Sequence, residues 1–142
     1  MKIAVIYWTQ TGNTGAMASA VAEGAREAGA ELELLTVSET SACAAAGYDR
    51  LALGCPAMGA EVLEEGEFEP FFTELEPNLS GKTVALFGSY GWGDGEWMRQ
   101  WQDRTLSAGA SIVGGEGLIA NEMPDDDALA ACRELGRKLA AG

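Results

Sequence analysis

The chain has 142 residues and carries 22 acidic against 9 basic side chains, which gives a formal net charge of -13. This balance argues against nucleic-acid binding, because phosphate backbones attract lysine and arginine, and it favours partners with basic surfaces. The length suits one domain, residues 1–142, with an ordinary core. We expect neither a transmembrane helix nor a secretory signal, since no apolar run is long enough, and we therefore expect a cytoplasmic protein.

The absence of histidine and the spacing of the cysteines narrow the possible chemistry. Without histidine the chain lacks the commonest general base and most kinds of zinc site. Cys43, Cys55 and Cys132 are odd in number and far apart, with no CxxC pair. We therefore expect three small buried thiols in a reducing compartment, with a metal or redox role as the less favoured alternative.

Short apolar runs alternate with helical patterns along the whole chain. The predicted strands are residues 2–7, 31–37, 49–55, 82–89 and a glycine-broken segment at 110–120. Helical patterns cover residues 14–28, a short stretch within 38–48, 70–77, 96–109 and 124–141. This alternation predicts a doubly wound parallel sheet with helices on both faces. Because such sheets bind ligands at the carboxyl ends of their strands, the loops after strands one, three, four and five are candidates for the site.

The segment "TQTGNT" at 9–14 joins the first strand to the first helix without a charged residue. Free backbone N–H groups and the positive end of the helix dipole favour an anion there, and Gly12 lets the backbone approach it. The side-chain donors of this segment are Thr9, Thr11, Asn13 and Thr14. Since GxxxxGK[ST] and GxGxxG are both absent, a single phosphate monoester fits better than a triphosphate. An ordinary capping loop, with Asn13 or Thr14 as N-cap, is the alternative.

Three segments lie at predicted strand ends: "TQTGNT" at 9–14, "CPAMGAEVLEE" at 55–65 and "LFGSYGWGDGEWM" at 86–98. With these segments the chain resembles flavodoxins over nearly its whole length. It is most similar to the short-chain clostridial type, since the last strand region has no room for the extra loop of long-chain flavodoxins. The resemblance implies a flavodoxin-like three-layer α/β/α sandwich, with a five-stranded parallel sheet in the order 2-1-3-4-5. It also implies non-covalently bound FMN and one-electron transfer between redox enzymes.

The resemblance assigns contacts with FMN to all three segments. The phosphate would be held by Thr9, Gln10, Thr11, Gly12, Asn13 and Thr14. In the second segment Met58 would pack on one flavin face, the Gly59–Ala60 peptide would face N5, and Glu61 would accept a hydrogen bond from N3–H. In the third, Trp92 would stack on the other face. The further residues assigned to the site are Pro56, Ala57, Ser89, Tyr90, Gly91, Gly93 and Asn121.

Four positions depart from the family pattern or leave two interpretations open. Gln10 stands where the family commonly has glycine, so we expect a slightly different turn. Ala60 disfavours a type II turn in its loop, because that turn demands positive φ there, and we predict that it favours the flipped, semiquinone-bound loop. Trp8 either shields the phosphate or ribityl chain or belongs to the core. Glu61, taken without the resemblance, is better explained as a solvated acid in an acidic loop.

The ligand loops 56–69, 90–97 and 121–127 hold half of all acidic residues and no lysine or arginine. These acids are Glu61, Glu64, Glu65, Glu67, Glu69, Asp94, Glu96, Glu122, Asp125, Asp126 and Asp127. A second electron on the flavin would add negative charge among them, at roughly 0.3 kcal/mol per pair at about 12 Å in water. We therefore expect a low-potential monomeric carrier that cycles mainly between semiquinone and hydroquinone. Its acidic rim would dock transiently on basic patches of redox partners.

Three other functions are compatible with parts of the pattern. A flavin-dependent quinone reductase of the same fold is the leading alternative, but the chain has no insertion that would build a substrate pocket. A phosphoacceptor signalling domain would need clustered acids after the first strand, where Tyr7, Trp8 and Thr9 stand. A cofactor-free interaction module is the third alternative.

Overall fold

A parallel sheet with helices on both faces forms the fold in the computed structural model, which describes residues 1–59, 61–91 and 93–141. Within these ranges the strands are β1 (Lys2–Tyr7), β2 (Glu31–Thr36), β3 (Arg50–Gly54), β4 (Thr83–Tyr90), β5 (Ser111–Ile112) and β6 (Leu118–Asn121). The helices are α1 (Asn13–Glu27), α2 (Ala42–Ala46), α3 (Phe68–Leu75), α4 (Glu96–Ser107) and α5 (Asp126–Ala141). Two 3₁₀ turns follow β2 and α3, at Val37–Glu39 and Glu76–Asn78.

The strand order is β2-β1-β3-β4-β5 and every pair of strands is parallel, which confirms the predicted order. The fifth position holds two short strands where the sequence predicts one glycine-broken strand. β5 pairs with the start of β4, and β6 pairs with its end. Gly114 and Gly115 between them have φ of 78° and 83°, a conformation that leaves the sheet and that glycine adopts at little cost.

The core lies on both faces of the sheet. Along β1, Ile3 and Val5 face one buried cluster while Ala4 and Ile6 face the other. Helices α1 and α5 cover the first cluster, and α3 and α4 cover the second. The largest buried side chains of the second cluster are Trp97, Trp101, Phe68 and Phe72. Burial on both faces explains why the central strands read as continuous apolar runs.

Close packing of α1 against α5 fixes the helix that starts at the first loop. A Cβ on Gly24 would overlap the Arg133 carbonyl, and one on Gly136 would overlap the Val21 carbonyl. The two glycines therefore allow the helix backbones to come nearer than any larger residue permits. This contact holds α1, and with it the segment 9–14 at its amino end.

The thiols differ from the prediction at one position. Cys55 and Cys132 are buried, but Cys43 is exposed, so the prediction of three buried thiols is wrong there. Cys43 lies on the short helix α2, which turns Ala42 and Ala45 inward and leaves the cysteine at the surface. Burial raises the pKa of Cys132 to about 12 and also raises that of Cys55.

In the ranges that the structure describes, no cluster of cysteine, aspartate and glutamate side chains is arranged to hold a metal ion. None of the helices in these ranges combines the length and the apolar character needed to cross a bilayer.

Candidate functional site

A cleft of about 350 Å³ opens at the carboxyl end of the sheet. The segments that follow β1 and β3, the end of β4 and one residue after β6 form its walls. The residues that line it are Thr9, Gln10, Thr11, Asn13, Thr14, Pro56, Ala57, Met58, Ser89, Tyr90, Gly91 and Glu122. Its volume lies in the range of small-molecule sites, and its position is the switch in strand order where doubly wound sheets bind ligands.

The cleft brings together most of the residues that the sequence assigned to one site. All of the lining residues except Glu122 belong to that prediction. The predicted residues that do not line the cleft are Gly12, Gly59, Glu61, Gly93 and Asn121. Ala60 and Trp92, predicted to lie at N5 and to stack on the flavin, lie outside the described residues.

The first loop is fastened by the hydroxyl of Thr9. Thr9 Oγ1 accepts hydrogen bonds from the backbone N–H of Gly12 at 3.1 Å and of Gly15 at 3.3 Å. The N-cap position itself is Gly12, with φ of 94° and no side-chain capping bond. The alternative that Asn13 or Thr14 serves as an ordinary N-cap is therefore wrong, because the hydroxyl that caps α1 lies upstream of both residues.

Several donors of this loop stay available for an anion. Among the described residues, the backbone N–H groups of Gln10, Thr11 and Thr14 have no hydrogen-bond acceptor. They lie at the positive end of α1, a helix of 15 residues with no acid in its first turn. A set of neutral donors at a helix amino terminus fits a phosphate group.

A buried hydroxyl pair ties the first loop to the end of β4. The Oγ atoms of Thr14 and Ser89 are 3.1 Å apart, and the Ser89 backbone N–H donates to Thr14 Oγ1 at 3.3 Å. Thr14 is 1% exposed and Ser89 is 5% exposed, so water competes little for these bonds. The pair holds two walls of the cleft at a fixed separation.

The second segment closes as a small hairpin above the sheet. Met58 and Val62 exchange two backbone hydrogen bonds, of 2.9 and 3.1 Å. The closed pair is one residue longer than the turn from Met58 to Glu61 that the sequence predicts. Gly59 and Glu61 take φ of 46° and 57° at its tip. At its start the Ala57 N–H donates to the Ser89 carbonyl at 3.0 Å, which places this hairpin beside the cleft.

Glu61 is a capping residue in this structure and not a free solvated acid. Its Oε1 accepts a hydrogen bond from the backbone N–H of Glu96, the first residue of α4, at 3.2 Å. A Cβ on Gly93 would overlap the same carboxylate, so glycine at 93 leaves room for it. Its other oxygen makes no hydrogen bond with the described residues, so the carboxylate can accept a further one.

The end of β4 meets the turn after β6 at the carbonyl of Tyr90. This oxygen accepts from the Glu122 N–H at 2.7 Å and from Asn121 Nδ2 at 3.3 Å. Glu122, with φ of 55°, is thereby brought to the cleft, a placement that the sequence prediction missed by stopping at Asn121. Its only signal in the sequence is its position directly after the last strand. The Tyr90 ring packs on Trp97, with ring centroids 5.6 Å apart.

Trp8, which directly precedes the first segment, is hydrogen-bonded to Glu67, two residues after the second segment. Its ring is half-buried against the core, in agreement with the core interpretation, and its indole N–H donates to Glu67 Oε1 at 3.2 Å. Glu67 directly precedes α3. Trp8 itself does not line the cleft.

Two arginines of α4 reach three of the eleven acids in the ligand loops. Arg99 Nη2 lies 2.8 Å from Asp94 and 3.2 Å from Glu96, and Arg104 makes a two-pronged contact with Glu69 at 2.7 and 2.8 Å. Hydrogen bonds from Arg99 and Arg104 hold the pKa of Asp94 and of Glu69 below the ordinary range. The loops themselves contain no base, as the sequence shows, and the arginines that offset these three acids come from the neighbouring helix α4.

Comparisons with known proteins agree with this fold. The flavodoxin family model matches residues 5–136. The flavodoxin of Megasphaera elsdenii is 48% identical over 138 residues, 97% of this chain and 98% of that protein. The flavodoxin of Clostridium beijerinckii is 46% identical over 136 residues, 96% of this chain and 97% of that protein. A solution structure of two-electron reduced Megasphaera elsdenii flavodoxin has a TM-score of 0.87 and 46% identity, and the match covers 99% of both chains.

These relatives confirm the resemblance that the three sequence segments carry. Their identity extends over nearly the whole chain, and the sheet order agrees with the fold that the resemblance implies. The chain therefore belongs to the flavodoxin family, whose members are FMN-binding electron carriers and not enzymes.

Proposed function

We propose that this chain is a low-potential one-electron carrier that cycles its FMN mainly between semiquinone and hydroquinone and shuttles electrons between redox enzymes. One observation carries the proposal: the only charged residue among those that line the described cleft is the acid Glu122. Neither the phosphate nor a negatively charged reduced flavin would meet a cation there. The site would therefore oppose the second electron more than the first.

The proposal orients FMN along the cleft. The phosphate would lie at the first loop, where the N–H groups of Gln10, Thr11 and Thr14 are free and α1 contributes its positive end. The ring would pack against Met58 on the hairpin side. FMN supplies the redox chemistry, whereas the chain's residues bind and orient it. The remaining site residues would keep the roles that the family resemblance implies for them.

The acidic residues around the cleft determine how far the second redox potential would be lowered. Eight of the eleven acids in the ligand loops have no ion pair with a base among the described residues, since Arg99 and Arg104 pair with the other three. At roughly 0.3 kcal/mol for each charge pair at about 12 Å, they would lower the second potential by on the order of 100 mV at low salt. The uncompensated phosphate would act in the same direction.

The distribution of charge also supports docking through the cleft end. Lys2 and Arg50 begin β1 and β3, and Lys82 directly precedes β4, so these bases lie at the amino end of the sheet. The acids of the ligand loops lie at the opposite end. A basic patch on a redox partner would therefore approach the end that holds the flavin, in a transient and salt-sensitive contact. We also propose that the protein is a monomer and is located in the cytoplasm.

A potentiometric titration of the FMN-loaded protein, followed by its visible spectrum, tests the redox proposal. We expect two separate one-electron steps, the second more negative than the first, with a large semiquinone population between them. A single two-electron step without semiquinone would contradict the proposal. Sedimentation of the loaded protein, expected to give the mass of one chain, tests the monomer.

The docking part has its own test. Electron transfer to a carrier protein with a basic surface patch should slow as ionic strength rises, because salt screens the attraction between the two surfaces. A rate that does not change with salt would contradict docking through the acidic end, while leaving the redox proposal intact.

A further inference from the structure

We refer to residues 55–67, between β3 and α3, as the β3–α3 loop. Two sets of hydrogen bonds, one at its base and one farther from the sheet, link residues of this loop to one another. At the base, the backbone N–H of Glu64 donates to the buried Cys55 Sγ at 3.4 Å. Higher up, Met58 and Val62 exchange two backbone bonds. Cys55 is itself held, because its carbonyl accepts from the indole N–H of Trp97 at 3.1 Å. The hairpin that carries Met58 therefore stands on the base that Cys55 and Glu64 form.

Glu64 fastens this base to α3 through its carboxylate. One oxygen accepts from the backbone N–H of Gly66 at 2.7 Å, and the other accepts from Glu67 at 2.7 Å and from Phe68 at 2.9 Å. Its carbonyl accepts from the Glu69 N–H at 2.8 Å. Glu67, which occupies the N-cap position of α3, makes no side-chain capping bond. Glu64 thus supplies the acceptors that the start of α3 would otherwise lack.

The base rests on the core on either side of Glu64. Leu63 is 5% exposed and Phe68 is fully buried, so the chain cannot shift at these two points without exposing apolar surface. The hydrogen bonds of the Glu64 carboxylate hold the backbone between these two buried residues. By contrast, the carboxylate of the next residue, Glu65, makes no hydrogen bond or ion pair with any residue that the structure describes.

We propose that Glu64 is a positioning residue for the flavin: by fastening the β3–α3 loop to α3, it holds the Met58–Val62 hairpin against the cleft. The inference rests on the proposed function, in which Met58 packs on the flavin ring. It concerns the ring end of the cofactor and not the phosphate, because Met58 belongs to the β3–α3 loop and the proposed phosphate donors belong to the loop at 9–14.

The test compares Glu64→Ala and Glu64→Gln with the matched variants Glu65→Ala and Glu65→Gln. Each pair removes the same charge from adjacent positions of one loop, but only the Glu64 variants remove the fastening bonds. In the full apo chain, Glu64→Ala should speed amide hydrogen exchange about tenfold at Met58 and Val62 and leave the amides of α1 and α5 unchanged. Glu64→Gln, which keeps one carboxyl-type oxygen, should show a smaller increase.

Binding of two ligands supplies the second readout. Glu64→Ala should weaken FMN and riboflavin by the same factor, about fivefold or more, because both ligands carry the ring. The Glu65 variants should change each affinity less than about twofold.

The failures of the two proposals are distinguishable. If Met58 and Val62 exchange at the wild-type rate in Glu64→Ala, while the amides of Gly66 and Phe68 exchange faster, Glu64 caps α3 only and the inference is wrong. Equal effects of the Glu64 and Glu65 variants on ligand affinity would also overturn it, since charge alone would then explain them. A wild-type chain that forms no semiquinone would contradict the proposed redox function and leave the exchange result standing.

Discussion

The first loop and the β3–α3 loop solve the same problem with opposite chemistry. Each leaves a strand at the carboxyl end of the sheet and must satisfy the free N–H groups at the start of a helix. In the first loop the neutral hydroxyl of Thr9 accepts from Gly12 and Gly15. In the β3–α3 loop the charged carboxylate of Glu64 accepts from three N–H groups.

The difference follows from what each loop faces. A carboxylate in the first loop would offset the positive end of α1 and repel a phosphate placed there. A hydroxyl satisfies the same N–H groups and leaves the field of the helix available to the ligand. In the proposed orientation of FMN, the fastening charge of the β3–α3 loop lies away from the phosphate and adds to the negative charge around the flavin ring. The two loops thus use fastening groups of different charge in a way that suits the proposed position of the phosphate.

The largest expected effect comes from placing a charge in the neutral loop, with Asn13→Asp. A carboxylate about 5 Å from a dianion costs roughly 1.7 kcal/mol even at the dielectric constant of water, and an amide donor is lost as well. We expect FMN affinity to fall about 30-fold and riboflavin affinity to change less than about twofold. The apo chain should gain about 0.3–1 kcal/mol of stability, because the first turn of α1 has no acid. Flavin fluorescence titration and urea unfolding measure the two quantities.

Asn13→Leu is the control for this prediction, since it removes the amide without adding charge. Its loss of FMN affinity should be only a few-fold and its apo stability should not rise. Equal weakening of FMN and riboflavin in Asn13→Asp would show that the variant acts on the cleft as a whole, and the assignment of the phosphate to this loop would fail.

The two loops also show which features of the fold and the site can be predicted from the sequence. The parallel sheet is predictable, because apolar runs of strand length alternate with helical periodicity. Its strand order is predictable only from the family resemblance. The three loops are predictable as neighbours, since parallel strands bring their carboxyl ends together. The capping of α1 by Thr9 is harder to predict, because a hydroxyl three residues before the N-cap has no standard sequence signature. Arg99 lies outside prediction, since only folding brings this helix residue to the acids of the loops. Glu122 belongs to a predicted ligand loop, but its place at the cleft depends on its bond to the Tyr90 carbonyl.

The stabilisation by the Thr9 hydroxyl and the stabilisation by the Glu64 carboxylate should depend differently on pH. Thr9→Val removes an acceptor of two N–H groups and should cost the apo chain about 1–2 kcal/mol at every pH, because a hydroxyl does not titrate in this range. Glu64→Gln should cost about 1 kcal/mol near neutral pH and progressively less in acid. Urea unfolding of each variant and the wild type, from about pH 7 to about pH 3.5, gives the two differences.

The sign for Glu64 follows from its pKa. Burial raises the pKa of this carboxyl, but the N–H bonds from Phe68, Glu67 and Gly66 together outweigh burial and lower it. A lowered pKa means that the stabilisation is complete above the unfolded value of about 4.3 and is lost as pH falls through the folded value. Thr9→Ser keeps the hydroxyl and should cost less than about 0.5 kcal/mol. A Glu64→Gln cost that stays constant into acid would show that the ionised carboxylate is not what fastens the loop.

The smallest expected effect concerns Arg99, a residue of α4 that folding brings to the acids of the ligand loops. Its guanidinium is half exposed and pairs with Asp94 and Glu96, so its removal should change the stability of the chain little. Arg99→Gln should nevertheless make the second flavin potential more negative, since one positive charge near the ring is lost. At an assumed distance of about 12 Å the expected shift is about 10 mV at about 0.01 M salt.

Lys2→Gln separates this effect from a change in total charge, because it removes one cation at the opposite end of β1. The length of β1, 6 residues, puts Lys2 about 20 Å farther along the sheet, so its effect should be no more than about half that of Arg99→Gln. Both shifts should disappear in about 0.5 M salt, where charges this far apart are screened. A shift of the second potential toward positive values in Arg99→Gln would mean that the freed Asp94 and Glu96 carboxylates move away from the flavin. The field of the acidic end would then depend on where its carboxylates settle and not only on how many remain unpaired.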